Sequence, residues 1–503
     1  PARALLVPTG VKMTNEPPKG LRANMLGSFI TDPIKDPEFF DGVAGDNAWA
    51  WKPMLFGLVF FHAVMQERRT FGPIGWNIPY EFNNTDLRIS VRQLRLFLES
   101  YAQVPFEALE YCTGEANYGG RVTDDKDRRC TMAILHRYFD PEALAPGHSF
   151  CAGESADAKL YIQPVAETHE EYCAAVRQLP MLASPEVFGL HPNAAITKDL
   201  KETRELFEAC LLTQSSVGGG GGSSGDAMLT RIAEDISSKL PEDYDLEAVQ
   251  AIFPVDPMQS MNTVLEQELT RFNRLIVIVR ASLNNLKKAI KGLVVMDAEL
   301  EALATALLQG ARPALWMKRS YPSLKPLGSY VADLLRRLEF LQNWIDHGMP
   351  DTHWLSGFFF TQAFLTGAKQ NFARKHAVSI DQVDFSYNVL DETPAGTPED
   401  GVYVYGIFLE GARFNKDTAL LGESEPKILL TDLPMMWLRP QNVTDLPEVP
   451  HYSCPLYKTS DRRGTLSTTG HSTNFVMYLK LPSDQPQSHW VLRGVAGLTQ
   501  GDD

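Results

Sequence analysis

The densest group of side chains that could do chemistry is the run Asp124-Asp125-Lys126-Asp127-Arg128-Arg129. Acidic residues at Asp124, Asp125 and Asp127 suit the positive end of a helix dipole. Read that way, the run opens a solvated helix, with i,i+4 pairs Asp124–Arg128 and Asp125–Arg129 each contributing about 0.2–0.5 kcal/mol. The alternative reading is a polar interface with a neighbouring module. The eleven histidines are scattered. His62 lies in an apolar helical run and reads as a core or rim histidine. His451, His471 and His489 fall near the C-terminal end at spacings that define no metal site.

No GxxxxGK[ST], HExxH, paired-cysteine zinc spacing or GxSxG elbow occurs. The Gly218–Gly222 run, flanked by Ser215, Ser216, Ser223 and Ser224, lacks the Lys that a phosphate-binding loop needs, and it reads as a flexible boundary. We therefore assign no catalytic, cofactor-binding or metal-ligating residue. A triad or cluster assembled only by folding stays open.

These residues need elements to hold them. The chain has 503 residues, 44% apolar and 22% charged, enough for about three domains and a sizeable core. A net charge of −15 argues against a broad nucleic-acid surface or a basic membrane face. The apolar runs Leu55–Val64 and Trp354–Ala368 fall short of the ~20 residues of a membrane span. Six cysteines without a paired spacing favour a reduced, intracellular setting. The opening PARALLVPTG carries no leader and reads as a piece cut from a longer protein.

Ala4–Val7 reads as a short strand, and a helix is expected to start near Leu21. Residues 46–70 read as an apolar helix with a polar exit at Gln66–Arg69. The stretch Phe71–Ser90 then packs four large aromatics, Phe71, Trp76, Tyr80 and Phe82, around Gly72-Pro73, Gly75 and Pro79. Proline fixes its own φ and disfavours helix before it, so this is a rigid, buried corner. Ser90 and Gln93 have capping-box spacing for the next helix. Thr113–Arg121 reads as a loop, and a further helix runs to Tyr138.

Beyond a loop-rich stretch, Thr168 is expected to cap one helix and Ser184-Pro185-Glu186 to open another. Lys198–Leu212 is helical. So are the stripe from Met261 to Val279, Ala298–Leu308 with Gly310 as its C-terminal cap, Tyr330–Ile345, and Trp354–Arg374. After about residue 383, short β-branched and aromatic runs separated by turns give about six strands of an antiparallel sandwich or small barrel.

Several long strings carry a resemblance. They are VKMTNEPPKGLRAN (11–24), KPMLFGLVFFHAVMQERRTFGPIGWNIPYEFNNTDLRIS (52–90), TGEANYGGRVTDDKDRR (113–129) and FGLHPNAAITKD (188–199). WLSGFFFTQAFLTGAKQNFARKH (354–376), DGVYVYGIFLEGARF (400–414) and HWVLRGVAGL (489–498) follow. In this order the sequence resembles the C-terminal part of dynein heavy chains, and most an axonemal, inner-arm one. Ala116 stands where that pattern usually has Cys, and Lys126 where it has Trp.

The resemblance implies a multidomain α+β architecture. Residues 1–40 would end the large subdomain of the sixth AAA+ module, and 41–145 would be its helical lid. Residues 146–382 would be the helical part of the C-terminal domain, and 383–503 its small antiparallel β-barrel. It implies a segment of an ATP-driven, minus-end-directed microtubule motor of cilia and flagella, placed in the cytoplasm and the axonemal cytoskeleton. This segment would close and brace the ring without catalysing. ATP and Mg would bind elsewhere in the parent, with no cofactor here. Implied partners are the first and fifth AAA+ modules, dynein intermediate and light chains, and microtubules through the parent; neither nucleic acid nor membrane is among them. The alternative is a docking platform for accessory chains or neighbouring axonemal proteins.

Overall fold

A computed structural model describes residues 18–151, 158–213, 224–390, 392–446, 449–464 and 473–501. The expected strand Ala4–Val7, the Gly218–Gly222 run and His471 lie outside these. The protein forms two compact units. The first comprises residues up to Lys201 together with Val491–Gly494, and the second Glu202–Trp490 with Val495 onward.

The first unit is built on the helix Ala48–Glu67. Apolar residues on all its faces demand burial all round. Phe60 meets Phe150 at 5.2 Å and Tyr138 at 5.5 Å between ring centroids, and Phe56 meets Tyr172 at 5.8 Å. By length and composition Ala48–Ile74 could cross a membrane, contrary to the sequence expectation, but 78% of its most apolar window is buried, which is the situation of a core helix. The expected polar exit is also wrong. Gln66, Glu67 and Arg68 are all buried. Gln66 donates to the Phe82 carbonyl (3.2 Å), and Glu67 accepts from Asn24 (2.8 Å).

A 3-10 turn, Arg68–Ile74, follows, broken at Gly72 where φ is +65°. Such a φ is easy for glycine and strained for other residues. Trp76, Tyr80 and Phe82 are then buried against one another, with centroids 5.8–6.1 Å apart. The next helix, Asn84–Ser100, starts six residues before Ser90. Its capping box is Asn83 with Asp86: the Thr85 N–H donates to Asn83 Oδ1 (2.9 Å) and the Asn83 N–H to Asp86 Oδ2 (2.9 Å). Ser90 and Gln93 instead accept from Asn117 (2.9 and 2.6 Å).

Part of the expected 113–121 loop is a π-helical turn, Tyr111–Tyr118. Gly114 lets this turn pack closely on its neighbour, because a Cβ there would lie 2.3 Å from Met132 Sδ. Thr168 caps His169–Gln178 in a box with Glu171, and Ser184 caps the turn Pro185–Phe188.

The second unit is helical first. The helix Ser260–Ile290 buries the expected stripe, and Ala298–Leu308 and Leu327–His347 pack in the same unit. The fourth helix is shorter than expected, Thr361–Lys375. Trp354–Phe360 is instead a strand end and a turn, because the buried Glu268 carboxylate takes up the Phe359 and Phe360 N–H groups.

The strands are β1 (Thr352–Trp354), β2 (Val383–Val389), β3 (Val402–Tyr405), β4 (Ile407–Glu410), β5 (Ala412–Asn415), β6 (Leu420–Glu423), β7 (Leu430–Leu433), β8 (Met436–Asn442), β9 (His451–Tyr457), β10 (Phe475–Pro482) and β11 (Ala496–Leu498). They form ladders β1-β3-β8-β2, β10-β9-β11-β4-β7 and β5-β6. The expected closed antiparallel barrel is not formed. The two larger ladders keep separate edges, and β1–β3 and β11–β9 are parallel.

The expectation of six strands fails for a local reason. GVYVYGIFLEG divides at Gly406, where φ is +83° and a Cβ would lie 2.5 Å from the Trp354 ring, so β3 and β4 enter different sheets. KILLTDLPMMWL divides likewise into β7 and β8. HWVLRGVAGL is a helix, Gln487–Arg493, followed by β11.

Candidate functional site

In the first unit, four stretches converge on two buried charges. Arg68 is fully buried at the end of the central helix. Its Nε donates to the Gly75 carbonyl (3.2 Å), and its terminal nitrogens donate to the carbonyls of Phe188 and Leu492 (the latter 3.3 Å) and to Cys130 Sγ (3.4 Å). Its guanidinium lies 5.5 Å from the Trp76 ring. Among the described residues no carboxylate comes within ion-pair distance of it. The cation is held by backbone oxygens from three separate stretches, an arrangement suited to the fixed fork of arginine. Burial lowers its pKa, opposed by Cys130 and Asp127.

Asp127 is the counterpart. Its two oxygens accept from the Asn77 N–H (3.0 Å) and the Ile78 N–H (3.1 Å). Asp124 caps the helix Asp125–His136 by accepting from the Lys126 and Asp127 N–H groups, and it also accepts from Asn77 Nδ2 (3.2 Å). The Tyr80 hydroxyl accepts from the Asp124 N–H (3.2 Å). Burial, and then the nearby Asp124 charge, push Asp127 up to about 7, against the pull of the Asn77 and Ile78 N–H groups. The aromatic corner and the acidic run, singled out separately in the sequence, thus lock onto each other. The expected Asp124–Arg128 pair gives way to Arg128–Glu115 at 2.9 Å, because Asp124 serves as a cap.

The segment Val491–Gly494 completes the site. Arg493 donates to the carbonyls of Gly189 (3.4 Å) and Leu190 (2.9 Å). Gly494 has φ +68°, and a Cβ there would lie 2.2 Å from the Ile74 carbonyl oxygen, so only glycine lets the strand leave this close to the corner. His62 lies deeper on the same helix, with Nδ1 2.8 Å from the Tyr118 hydroxyl, and burial pushes it down to about 3. It is a core histidine.

The second unit has its own buried polar centre, which sequence reasoning missed. Besides the two N–H groups, Glu268 faces Arg271 at 3.5 Å. Arg337 pairs with Asp333 at 2.7 Å and stacks 3.8 Å from the Tyr321 ring centroid, while Tyr321 donates to the same carboxylate (2.9 Å). Lys458 lies 5.8 Å from the Phe360 ring; burial pushes it down to about 8, with Glu268 opposing. The signal was available. Glu268 sits four residues from both Val264 and Phe272, on the apolar face of its helix.

His489 meets Glu423 at 2.7 Å, and His451 meets the Val449 carbonyl at 2.7 Å. Among the described residues no group of three or more His, Cys, Asp or Glu could hold a metal ion.

Comparison with known families decides what this arrangement belongs to. The family described as the C-terminal domain of the dynein heavy chain matches residues 200–499, and the AAA lid domain of the dynein heavy chain matches residues 51–194. The protein belongs to the dynein heavy-chain family. It is 54% identical to human dynein axonemal heavy chain 3 over 500 residues, 99% of its own length and 12% of that protein. It is 52% identical to human dynein axonemal heavy chain 12 over 500 residues, again 99% of its own length and 16% of the relative. Against human dynein axonemal heavy chain 1 the identity is 45% over 496 residues, 98% and 11% of the two. This dynein segment therefore spans between 11% and 16% of the length of these relatives. The corner, the Asp127 lock and Arg68 fall in the lid match, and Val491–Gly494 in the match to the C-terminal domain.

Proposed function

We propose that this segment braces the motor ring of an axonemal dynein heavy chain, most like an inner-arm one, and does not itself hydrolyse nucleotide. The supporting observation is how Arg68 and Asp127 are used. Both charges are taken up by backbone groups of stretches far apart in sequence, so they fix backbone geometry instead of facing a substrate. In this reading the N-terminal residues end the large subdomain of the sixth AAA+ module, the lid follows, and the C-terminal domain takes the remainder. Contacts would be made with the first and fifth modules. ATP and Mg would be bound elsewhere in the parent motor, which would act on microtubules of cilia and flagella and carry intermediate and light chains.

The test is deletion of residues 383–486 from the full heavy chain, which keeps the Leu492 carbonyl and Gly494 that complete the first unit. Bracing predicts a changed ATPase rate or force with accessory-chain occupancy retained. A docking platform predicts lost occupancy with normal output of the single motor, and that result would overturn the bracing role.

A further inference from the structure

Two grooves in the second unit lie on either side of one ridge, residues 254–259. The larger, about 570 Å³, is bounded by Val255 and Pro257 on one side and by Phe360, Gly367 and Arg374 on the other. The smaller, about 300 Å³, is bounded by Met258, Met349 and Phe372. Both share a wall, the helix Thr361–Lys375.

The ridge is built. Arg374 donates to the Pro257 carbonyl and to Ser260 Oγ (2.7 Å), Asn262 to the Pro254 carbonyl (2.9 Å), and the Met258 N–H to Asp256 Oδ1 (2.8 Å). Even so, it holds two large apolar side chains outward, Val255 (63% exposed) and Met258 (57%), and the grooves beside it add Met349 (46%) and Phe360 (41%). Exposed apolar side chains gathered around grooves mark interaction sites, and methionine adapts its shape to a partner.

The charge at the smaller groove has a sign. Asp351, Glu399 and Asp400 line it against one cation, Lys375, which is already paired with Asp400 (2.9 Å) and Glu399 (3.7 Å); His376 is 3.1 Å from Asp400. In its wall His353 is 2% exposed, and neither ring nitrogen makes a hydrogen bond of ordinary geometry. A second copy of this surface would bring carboxylates against carboxylates, which is unfavourable.

We infer that these grooves receive a basic, amphipathic segment of a partner protein, its apolar anchors entering on both sides of the ridge and its lysines or arginines facing Asp351 and Glu399. This inference does not depend on the bracing role, since its residues belong to the second unit and Arg68 and Asp127 to the first.

The test uses the full heavy chain and a fluorescent helical peptide of about five turns made of Leu and Lys, with a photoreactive group at one apolar position. Two control peptides replace Leu by Ser or Lys by Glu. The expected result is saturable binding of the Leu/Lys peptide alone, with photo-adducts within 255–267, at Met349, within 360–375 or within 397–402. The double substitution Val255→Ser and Met258→Ser, which removes the apolar anchors without adding charge, should weaken binding about tenfold or more, equivalent to about 1.4 kcal/mol. Both positions are exposed, so the variant should unfold at the same temperature as the parent. Equal binding of the Ser/Lys peptide would mean simple attraction to an acidic protein. That outcome, equal binding of the Leu/Glu peptide, adducts elsewhere, or no binding would each overturn the inference.

Discussion

The two buried polar centres solve one problem in different ways. In the first unit the charges are held apart and each is satisfied by backbone: Arg68 by carbonyls, Asp127 by N–H groups. In the second, side chains meet side chains: Arg337 on Asp333, Arg271 near Glu268, and Lys458 in the field of Glu268. A charge held by backbone pins the path of the polypeptide, because several segments must arrive together to satisfy it. A charge held by a side chain on a helix pins only the packing of that helix. Glu268 and Arg337 lie between the two cases, since Glu268 also captures two N–H groups of the turn before Thr361 and Arg337 also donates to the Phe358 carbonyl (3.4 Å).

This contrast predicts that Arg68 is the more costly to remove. Arg68→Ala leaves carbonyls of Gly75, Phe188 and Leu492 buried without a donor, each worth about 1–3 kcal/mol when orphaned. A loss of about 3–5 kcal/mol in the first unit, the lower part of that sum, is expected, read from its denaturant unfolding. Arg68→Lys should recover only part, because an ammonium cannot reach three directions with a planar fork. Full recovery by lysine would show that charge alone matters and would break the comparison.

Glu268→Ala comes next. It leaves the Phe359 and Phe360 N–H groups without their acceptor and removes the charge that offsets Lys458 and Arg271, at about 2–4 kcal/mol. Glu268→Gln keeps one acceptor and should cost roughly half as much. Hydrogen exchange at Phe359 and Phe360 reads the effect directly, and unchanged protection in Glu268→Ala would remove the turn from the account.

The helices of both units were legible because their apolar residues recur at helical spacing and their caps are local. Thr168 with Glu171 and Asp124 at its helix start needed only a few residues to be seen. What stayed hidden was set by distant partners. Trp354–Phe360 is mostly apolar with no period, and beyond the local hint of Ser356-Gly357 it is Glu268, 91 residues before Phe359, that tells turn from helix. Arg68 closes a run that looked like a solvated exit, and the carbonyls that bury it come from Phe188 and Leu492. The barrel reading failed for the same reason. Strand runs were visible, but the exits at Gly406 and before Met436 that send them to different ladders depend on what lies across the sheet.

The effect expected at Asp127 is confined to a pH window, and its sign sharpens the comparison. The folded-state value, about 7, lies above the ordinary value of 3.8 for an unfolded aspartate. Between these values the folded protein holds more protons than the unfolded one. Stability contributed by this group is therefore greatest below about pH 4 and falls as pH rises toward 7. Asp127→Asn cannot ionise, so the difference in stability between parent and variant should shift in favour of the variant across that window. The shift should not exceed about 4 kcal/mol, about 1.4 kcal/mol for each of the roughly three pH units between the two values, in which the pull of the Asn77 and Ile78 N–H groups toward the ionised form is already included. The Asn77 and Ile78 amides, followed by hydrogen exchange corrected for the intrinsic pH dependence, report the lock itself. A parent that becomes more stable than the variant as pH rises would mean that the two N–H groups outweigh burial. Asp127 would then be a fully satisfied anion, and the two units would differ only in where their partners come from.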